Sequence, residues 1–437
     1  MQTKALPGFR DFYPTALALR AHLFQTWRTV ATRYGFEEYD GPPLEPLDLY
    51  TAKSGDEIVG QLYNFTDKGD RQVALRPEMT PTLARMVAAR ANGLKKPIRW
   101  FSIPQLFRYE RQQRGRLREH FQLNCDLIGE AGPLADAEMM ALAVDVMREF
   151  KLGPDDIRLR VSDRQILNIL LLDAGVTQAQ LPAAYAAVDK FERLEWEVTS
   201  RPLEEAGASK AVIKEVQKIA GYVEPDNVMS YLQRIKGPLR EEALIAGARL
   251  KETLDAIDKM ELGGFVDVEL RIVRGLAYYT GMVFELFDKA LSFRAIAGGG
   301  RYDNLLQGIG GVDLPALGFG MGDVVLAELL KEKGLVPADA SSVDVFLAFI
   351  TPEDLPHVLE LAHQLRHAGL RVEYALSPQA VGKQLKLADA RNARLAVMLG
   401  PDERARGELV LKDLRGKAQE TVSQGSAVDT IKARLHG

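Results

Sequence analysis

Residues 108–129 read RYERQQRGRLREHFQLNCDLIG, and the parity of their side chains decides what fold the chain can adopt. Arginines stand at 108, 111, 114, 116 and 118 in a protein whose formal net charge is −4. Polar and apolar residues then alternate, with Arg116, Arg118, His120, Gln122, Asn124 and Asp126 on one side and Phe121, Leu123, Cys125 and Leu127 on the other. Successive side chains of a strand point to opposite faces, so this alternation predicts a half-buried antiparallel strand, with Gly115 suited to the hairpin loop before it. Its polar side mixes arginines, two amides and a carboxylate, as the floor of a site would.

Working outward, WFSIP and LFRYE lead into this stretch, and a helix is expected over about 15–34, where apolar residues recur at helical spacing. Gly41-Pro42-Pro43 interrupts regular pairing and forces an extended edge or turn. A strand pair (QLYNFTD, RQVALRPE) and a helix from about Pro81 to Asn92 follow. The helix ADAEMMALAVDVMREF and the strand DIRLRVSD come after the opening stretch. Residues 165–258 read as a helical insertion. Strands return at VDVELRIVRG, YYTGMVFELF and LSFRAIAGGGRYD, with a helix after Gly322. A boundary near 336–342 precedes alternating strand and helix patterns, as in a doubly wound α/β unit. GELVLKDLR adds a strand and SAVDTIKARL a closing helix. The expected division is 1–335 and 336–437.

The 437 residues suffice for several cores, with 46% hydrophobic and 27% charged residues. No segment approaches the roughly 18 apolar residues of a membrane span. MQTKALPGFRDFYP lacks the apolar core of a signal peptide, so a cytoplasmic location without a membrane partner is expected. Cys125 is the sole cysteine, which excludes an internal disulfide and a cysteine-rich zinc site and leaves a small buried thiol. Slight acidity argues against a nonspecific coater of DNA. A local basic surface still permits a nucleic-acid partner.

Four segments carry candidate chemistry. Arg108 and Glu110 share a strand face, a rigid fork suited to phosphate or carboxylate, whereas Arg111 and Arg114 flank the hairpin loop and can follow a nucleic-acid backbone. A solvated salt-bridge cluster is the plainer reading of the same run. In LRPEMTPTLARM, Glu78 and Thr80 serve either as a helix cap beside Pro81 or as a carboxylate and hydroxyl for an ammonium group. IVRGLAYYTG puts Arg274 at the end of an apolar strand, where it needs an anion or solvent. Tyr278 and Tyr279 then point to opposite sides, so one of them faces a ligand at most. IAGGGRYD allows close approach of backbone to ligand or makes a simple turn, and it matches neither the dinucleotide fingerprint nor the P-loop. No metal-ligand constellation stands out, which suits polyphosphate chemistry with magnesium carried by the nucleotide.

Together these segments resemble the histidyl-tRNA synthetases, a class II aminoacyl-tRNA synthetase family, over essentially the whole chain. GFEEYDGPPLE is similar to class II motif 1, with Pro42 at a dimer interface, and FRYERQQRGRLREHFQ is similar to motif 2. LRPEMT, RGLAYYTG and AGGGRYD resemble the family's histidine-pocket segments. The resemblance implies an α+β fold: an antiparallel catalytic sheet flanked by helices, a helical insertion, a C-terminal α/β anticodon-binding domain and a homodimer.

It also implies L-histidine, ATP with Mg2+ as substrate, and tRNA(His) as partners. Glu78, Met79 and Thr80 with Gln122 would surround the histidine ammonium, and Asp126 with Tyr278 or Tyr279 would read the imidazole. Arg108 would grip the α-phosphate and the histidine carboxylate, Arg274 would approach the same phosphate from the other side and also bind histidine, Glu110 would lie near the adenine amino group, and Arg116 would reach the outer phosphates. Arg111 and Arg114 would meet the tRNA acceptor end. The chain departs from the family pattern at Asp323, Val324 and Val325, where motif 3 ends in Glu-Arg, and at Ala277, which replaces an acid. His120-Phe121 inverts the usual Phe-His, so His120 would stack on adenine. RGLAYYTG and the inverted pair associate with an organelle-type branch. The rival reading is a catalytically silent paralogue acting as a histidine sensor or regulatory subunit.

Overall fold

The structure is a computed structural model and describes residues 4–54, 56–109, 115, 117–191, 194–222, 224–273, 279–336, 343–416 and 418–436. By its internal contacts the chain divides into two units, Met1–Asp11 with Leu19–Val336 and Phe12–Ala18 with Pro337–Gly437.

The first unit is built on a nine-stranded sheet. Its strands in chain order are β1 (Glu37–Glu38), β2 (Ile98–Ser102), β3 (Gln105–Phe107), β4 (Glu119–Ile128), β5 (Ile157–Asp163), β6 (Val266–Val268), β7 (Met282–Asp288), β8 (Ala297–Arg301) and β9 (Ala316–Gly322). In space they run β1-β2-β4-β9-β8-β7-β5-β6, with β3 also on β4. The central pairings are antiparallel, and only the edge pairs β1–β2 and β5–β6 are parallel. The mixed, antiparallel-rich α+β architecture is the one expected.

The helices α1 (Pro14–Arg33), α2 (Thr80–Arg90), α3 (Pro133–Glu149) and α4 (Asp323–Glu332) flank this sheet. Apolar positions on one side of β4 explain the packing, since Leu123, Cys125 and Leu127 are buried against α3 residues such as Met140, Leu142 and Val144 and against Trp27 of α1. Each such leucine contributes about 1.5–3 kcal/mol by leaving water. That is why one strand face is committed to the core and the other is left for different use.

A small sheet joins Leu44–Pro46, Gln72–Leu75 and Asn64–Thr66. The Gly-Pro-Pro segment therefore leads into an edge strand, where a missing N–H costs little. Residues after β5 fold into helices with a separate core that includes Leu167, Leu170, Val216 and Leu250. The helix Arg164–Asp173 starts where Asp163 accepts from the Ile166 N–H at 3.0 Å. One expectation needs correction. Among its described residues, VDVELRIVRG is a strand only over Val266–Val268. Glu269 turns inward, 4% exposed, and pairs with Arg160 and Arg271.

In the second unit, β10 (Val345–Phe349), β11 (Val372–Tyr374), β12 (Leu395–Leu399), β13 (Glu408–Asp413) and β14 (Gln419–Ser423) form a sheet ordered β11-β10-β12-β13-β14. The β10–β11 and β10–β12 pairs are parallel, but β12–β13 and β13–β14 are antiparallel. The alternating strand–helix pattern thus describes three of these five strands, and the expected strands do not include β14.

Candidate active site

A cleft of about 1010 Å³ opens in the first unit, over the polar side of β4. His120, Gln122, Asn124 and Asp126 all line it. The polar side of the opening stretch is therefore a floor inside the molecule. Asn124 and Asp126 are only 6% and 4% exposed.

Depth comes from glycines on the neighbouring strands. Gly322, Gly320 and Gly318 of β9 lie opposite Gln122, Asn124 and Asp126. A Cβ on Gly320 would sit 2.6 Å from the Gln122 carboxamide carbon, and one on Gly318 would strike the Asp126 carboxylate and come within 2.7 Å of the Cys125 carbonyl. On β8, a Cβ at Gly300 would lie 2.6 Å from the Met282 carbonyl and 3.0 Å from the Tyr279 ring. Real Cβ atoms do not approach other atoms so closely, so a side chain at Gly318 or Gly300 would collide with backbone and one at Gly320 would displace Gln122. AGGGR is itself a fully buried strand rather than a simple turn.

At the inner end of this floor Tyr302, just past β8, donates its hydroxyl to Asp126 Oδ1, and both residues are nearly fully buried. Tyr279 and Tyr302 line the same cleft. A buried carboxylate needs such donors, because a charge left unpaired in the interior costs several kcal/mol.

Glu78 and Thr80 form another wall. Thr80 opens α2, yet the residue before the helix is Met79 and no side chain caps it. The capping reading of this segment thus fails, and the two polar side chains face the cleft instead. Met79, fully buried, lies beside Gly41 and puts its sulfur 3.7 Å from Arg76 Nη1. Arg76, 5% exposed, donates to the Gln105 carbonyl at 3.0 Å, Asp40 at 2.8 Å and the Gly41 carbonyl at 2.7 Å. It ties this wall to β3. Arg108 lines the cleft close by, with Nε 3.0 Å from the Pro77 carbonyl.

Toward the outer end, Gly115, Leu117, Val324 and Val325 join His120. A Cβ on Gly115 would stand 3.3 Å from Val325. Asp323, first residue of α4, accepts from the Phe121 N–H and from Arg10, both at 2.9 Å, and Arg10 also reaches Glu119 at 2.6 Å. Burial pushes the Asp323 carboxyl above its ordinary value, and Arg10 opposes that rise. Asp323 and Arg10 therefore brace α4 against the start of β4. Arg160, Arg271 and Arg294 line a third side of the cleft, with Asp189 and Glu285 among them.

The structure thus brings together Glu78, Thr80, Arg108, His120, Gln122, Asp126 and Tyr279. Arg274, Tyr278, Glu110, Arg111, Arg114 and Arg116 lie outside the described residues. Pro42 is exposed just before the strand Leu44–Pro46. Cys125 faces the core, where burial pushes its thiol well up. Among the described residues no three His, Cys, Asp or Glu side chains cluster to hold a metal, and no helix is long and apolar enough to cross a membrane. Sequence reasoning did not single out Tyr302, Arg76 or the Arg10–Asp323 brace. Of these, Tyr302 and Arg76 had a signal in their places within the quoted AGGGRYD and LRPEMT segments, and Asp323 in its departure from the family pattern.

Comparison with known proteins identifies the family. The family model for histidyl-tRNA synthetase matches residues 8–323, and that for an anticodon binding domain matches residues 344–434. A histidine–tRNA ligase of Opitutus terrae is 46% identical over 96% of this chain and 95% of its own length. The chloroplastic/mitochondrial histidine–tRNA ligase of Arabidopsis thaliana is 38% identical over 94% of this chain and 83% of its own. The crystal structure of histidyl-tRNA synthetase from Nostoc sp. PCC 7120 superimposes with a TM-score of 0.86 at 25% identity, covering 99% of this chain and 100% of that one. The chain belongs to the histidyl-tRNA synthetase family.

Proposed function

We propose that this chain is a histidine–tRNA ligase, which activates L-histidine with ATP and transfers it to the 3′ end of tRNA(His). The observation that carries this reading is the buried Tyr302–Asp126 pair at the inner end of a glycine-paved floor. A carboxylate whose other face is held by a phenol is an acceptor for an imidazole N–H. A site built to hydrogen-bond a substrate group rejects amino acids that lack it.

In this reading Asp126, Tyr302 and Tyr279 hold the imidazole, while Glu78, Thr80 and Gln122 receive the ammonium group. The substrate carboxylate then lies near Arg108, whose anchorage on the Pro77 carbonyl fixes its fork. One carboxylate oxygen attacks the α-phosphorus and pyrophosphate leaves. The tRNA 3′-terminal hydroxyl next attacks the acyl carbon, and AMP leaves. Arg108 and Arg274 offset the charge that grows on the phosphoryl oxygens, so catalysis is mainly positioning and electrostatics. Magnesium enters with the nucleotide as substrate and shields its outer phosphates. His120 stacks on adenine, Glu110 meets its amino group and Arg116 the outer phosphates. Arg111 and Arg114 follow the acceptor end. Residues 336–437 would read the anticodon, and two copies would pair through the Pro42 region in the cytoplasm.

The test is exchange of labelled pyrophosphate into ATP with a panel of amino acids, followed by charging of tRNA(His). Exchange with histidine alone, reduced about 100- to 1000-fold by Arg108→Ala, is the expected result. A folded protein that binds histidine but supports no exchange would instead be a sensor.

A further inference from the structure

We infer that Arg294 holds the adenine ring of ATP from the side of the cleft opposite His120, which makes it a nucleotide-specificity residue of this chain. The inference rests on the reading of the cleft as an ATP site and adds a residue to it.

The strand register carries the argument. Gln122 of β4 pairs with Gly322 of β9, and β9 pairs in turn with β8, Met321 opposite Ala297. The ladder runs one residue further, because the Gly322 N–H donates to the Ile296 carbonyl at 3.1 Å. Gln122, Gly322 and Ile296 therefore form one transverse row. Two residues beyond that row stand His120 on β4, Val324 in the first turn of α4 and Arg294 in the bend before β8, and all three line the cleft. Leu117 and Val325 complete the walls there.

The chemistry of that end is uneven in an informative way. Leu117, Val324 and Val325 offer only hydrocarbon and would penalise a phosphate or carboxylate seated among them. A planar uncharged ring meets no such penalty. His120 presents one aromatic face to it, and the guanidinium of Arg294, itself planar and weakly hydrated, suits the other face. Arg294 is exposed in the bend three residues before β8 and lines the cleft, so its long side chain is within reach of a base bound there. Position 325, on the first turn of α4, carries valine, so the cation over the base comes from the segment before β8 instead of from this helix.

The alternative placement of Arg294 is on the phosphates, and base-free nucleotide separates the two. Binding of ATP and of ribose 5-triphosphate should be compared calorimetrically in the wild-type protein and in Arg294→Ala. The expected result is ATP affinity about tenfold weaker in the variant, with ribose 5-triphosphate affinity and histidine affinity within about twofold of wild type. Placing an arginine at the neighbouring wall, Val325→Arg in the Arg294→Ala background, should restore ATP affinity. Equal losses for ATP and ribose 5-triphosphate would assign Arg294 to the phosphates and overturn the inference, as would unchanged ATP affinity. A wild-type protein that binds no ATP would overturn the nucleotide reading of the cleft as a whole.

Discussion

In the sheet of the second unit, all of β10 is buried: Val345, Leu347 and Phe349 pack with residues of Leu355–His367 and Ala427–His436, and Phe346 packs with Ala388 of Val381–Ala390. In the sheet of the first unit, β4 gives Leu123, Cys125 and Leu127 to the core, but its other side carries His120, Gln122, Asn124 and Asp126 under an open cleft. Both strands are largely buried, yet only β4 floors an open cleft. The difference lies in the neighbours. Beside β4 stand the glycines of β9, so no side chains fill the space above the polar row, whereas Phe346 and the helix facing it close the second face of β10. A sheet becomes a site when one face loses its side chains and keeps its polar groups, and a sheet with helices on both faces leaves its loops and edges for recognition.

The strongest way to break this comparison is to fill the floor. Gly320→Ala pushes Gln122 aside and should lower histidine-dependent pyrophosphate exchange at least about 100-fold, since misplacement by about 1 Å suffices for that. Circular dichroism and a melting curve would show whether the fold survives, and full activity would mean the floor is not the site. Asp126→Asn keeps the volume and removes the charge. It should raise the KM for histidine about 10- to 100-fold with a smaller change for ATP, as expected when a hydrogen bond to a charged group is lost.

The second sheet should respond in stability and not in adenylation. Gln384 is fully buried and bridges β10 to its helix, donating to the Phe349 carbonyl at 2.7 Å and accepting from the Phe349 N–H at 3.2 Å. Gln384→Ala leaves both groups unsatisfied and should destabilise the second unit by about 2 kcal/mol in a denaturant titration, while exchange stays at the wild-type rate. The smallest effect is expected at Asp344, whose carboxyl is held below its ordinary value by the hydrogen bond from Arg371. A depressed carboxyl stabilises above its unfolded pKa, and that contribution fades as pH falls through the folded value. Asp344→Asn should therefore be slightly less stable at pH 7 and lose part of the acid dependence below about pH 4.

Much of this was legible in the chain itself, for a local reason. Parity along 119–128 is a property of one strand, so it marked which residues of β4 share a face, and helical spacing marked α1 and α3. Where the sequence misled, the deciding contact was distant. The Tyr302–Asp126 bond closes across 176 positions and the Arg76–Asp40 pair across 36, and no periodicity reports either. Thr80 looked like a cap because caps and ammonium binders use the same residue types. The AGGGR glycines read equally as a turn, since their need arises from β9 and Tyr279 and not from their own neighbours. Strand β14 went unread because QETVS has only one apolar residue and exposes most of its length.

The most direct test of the central claim is a crystal structure of the protein with histidine and a non-hydrolysable ATP analogue. The account predicts the imidazole against Asp126 and Tyr302, the α-phosphate at Arg108, and the adenine between His120 and Arg294. Histidine bound elsewhere, or a cleft that stays empty at saturating ligand, would contradict it.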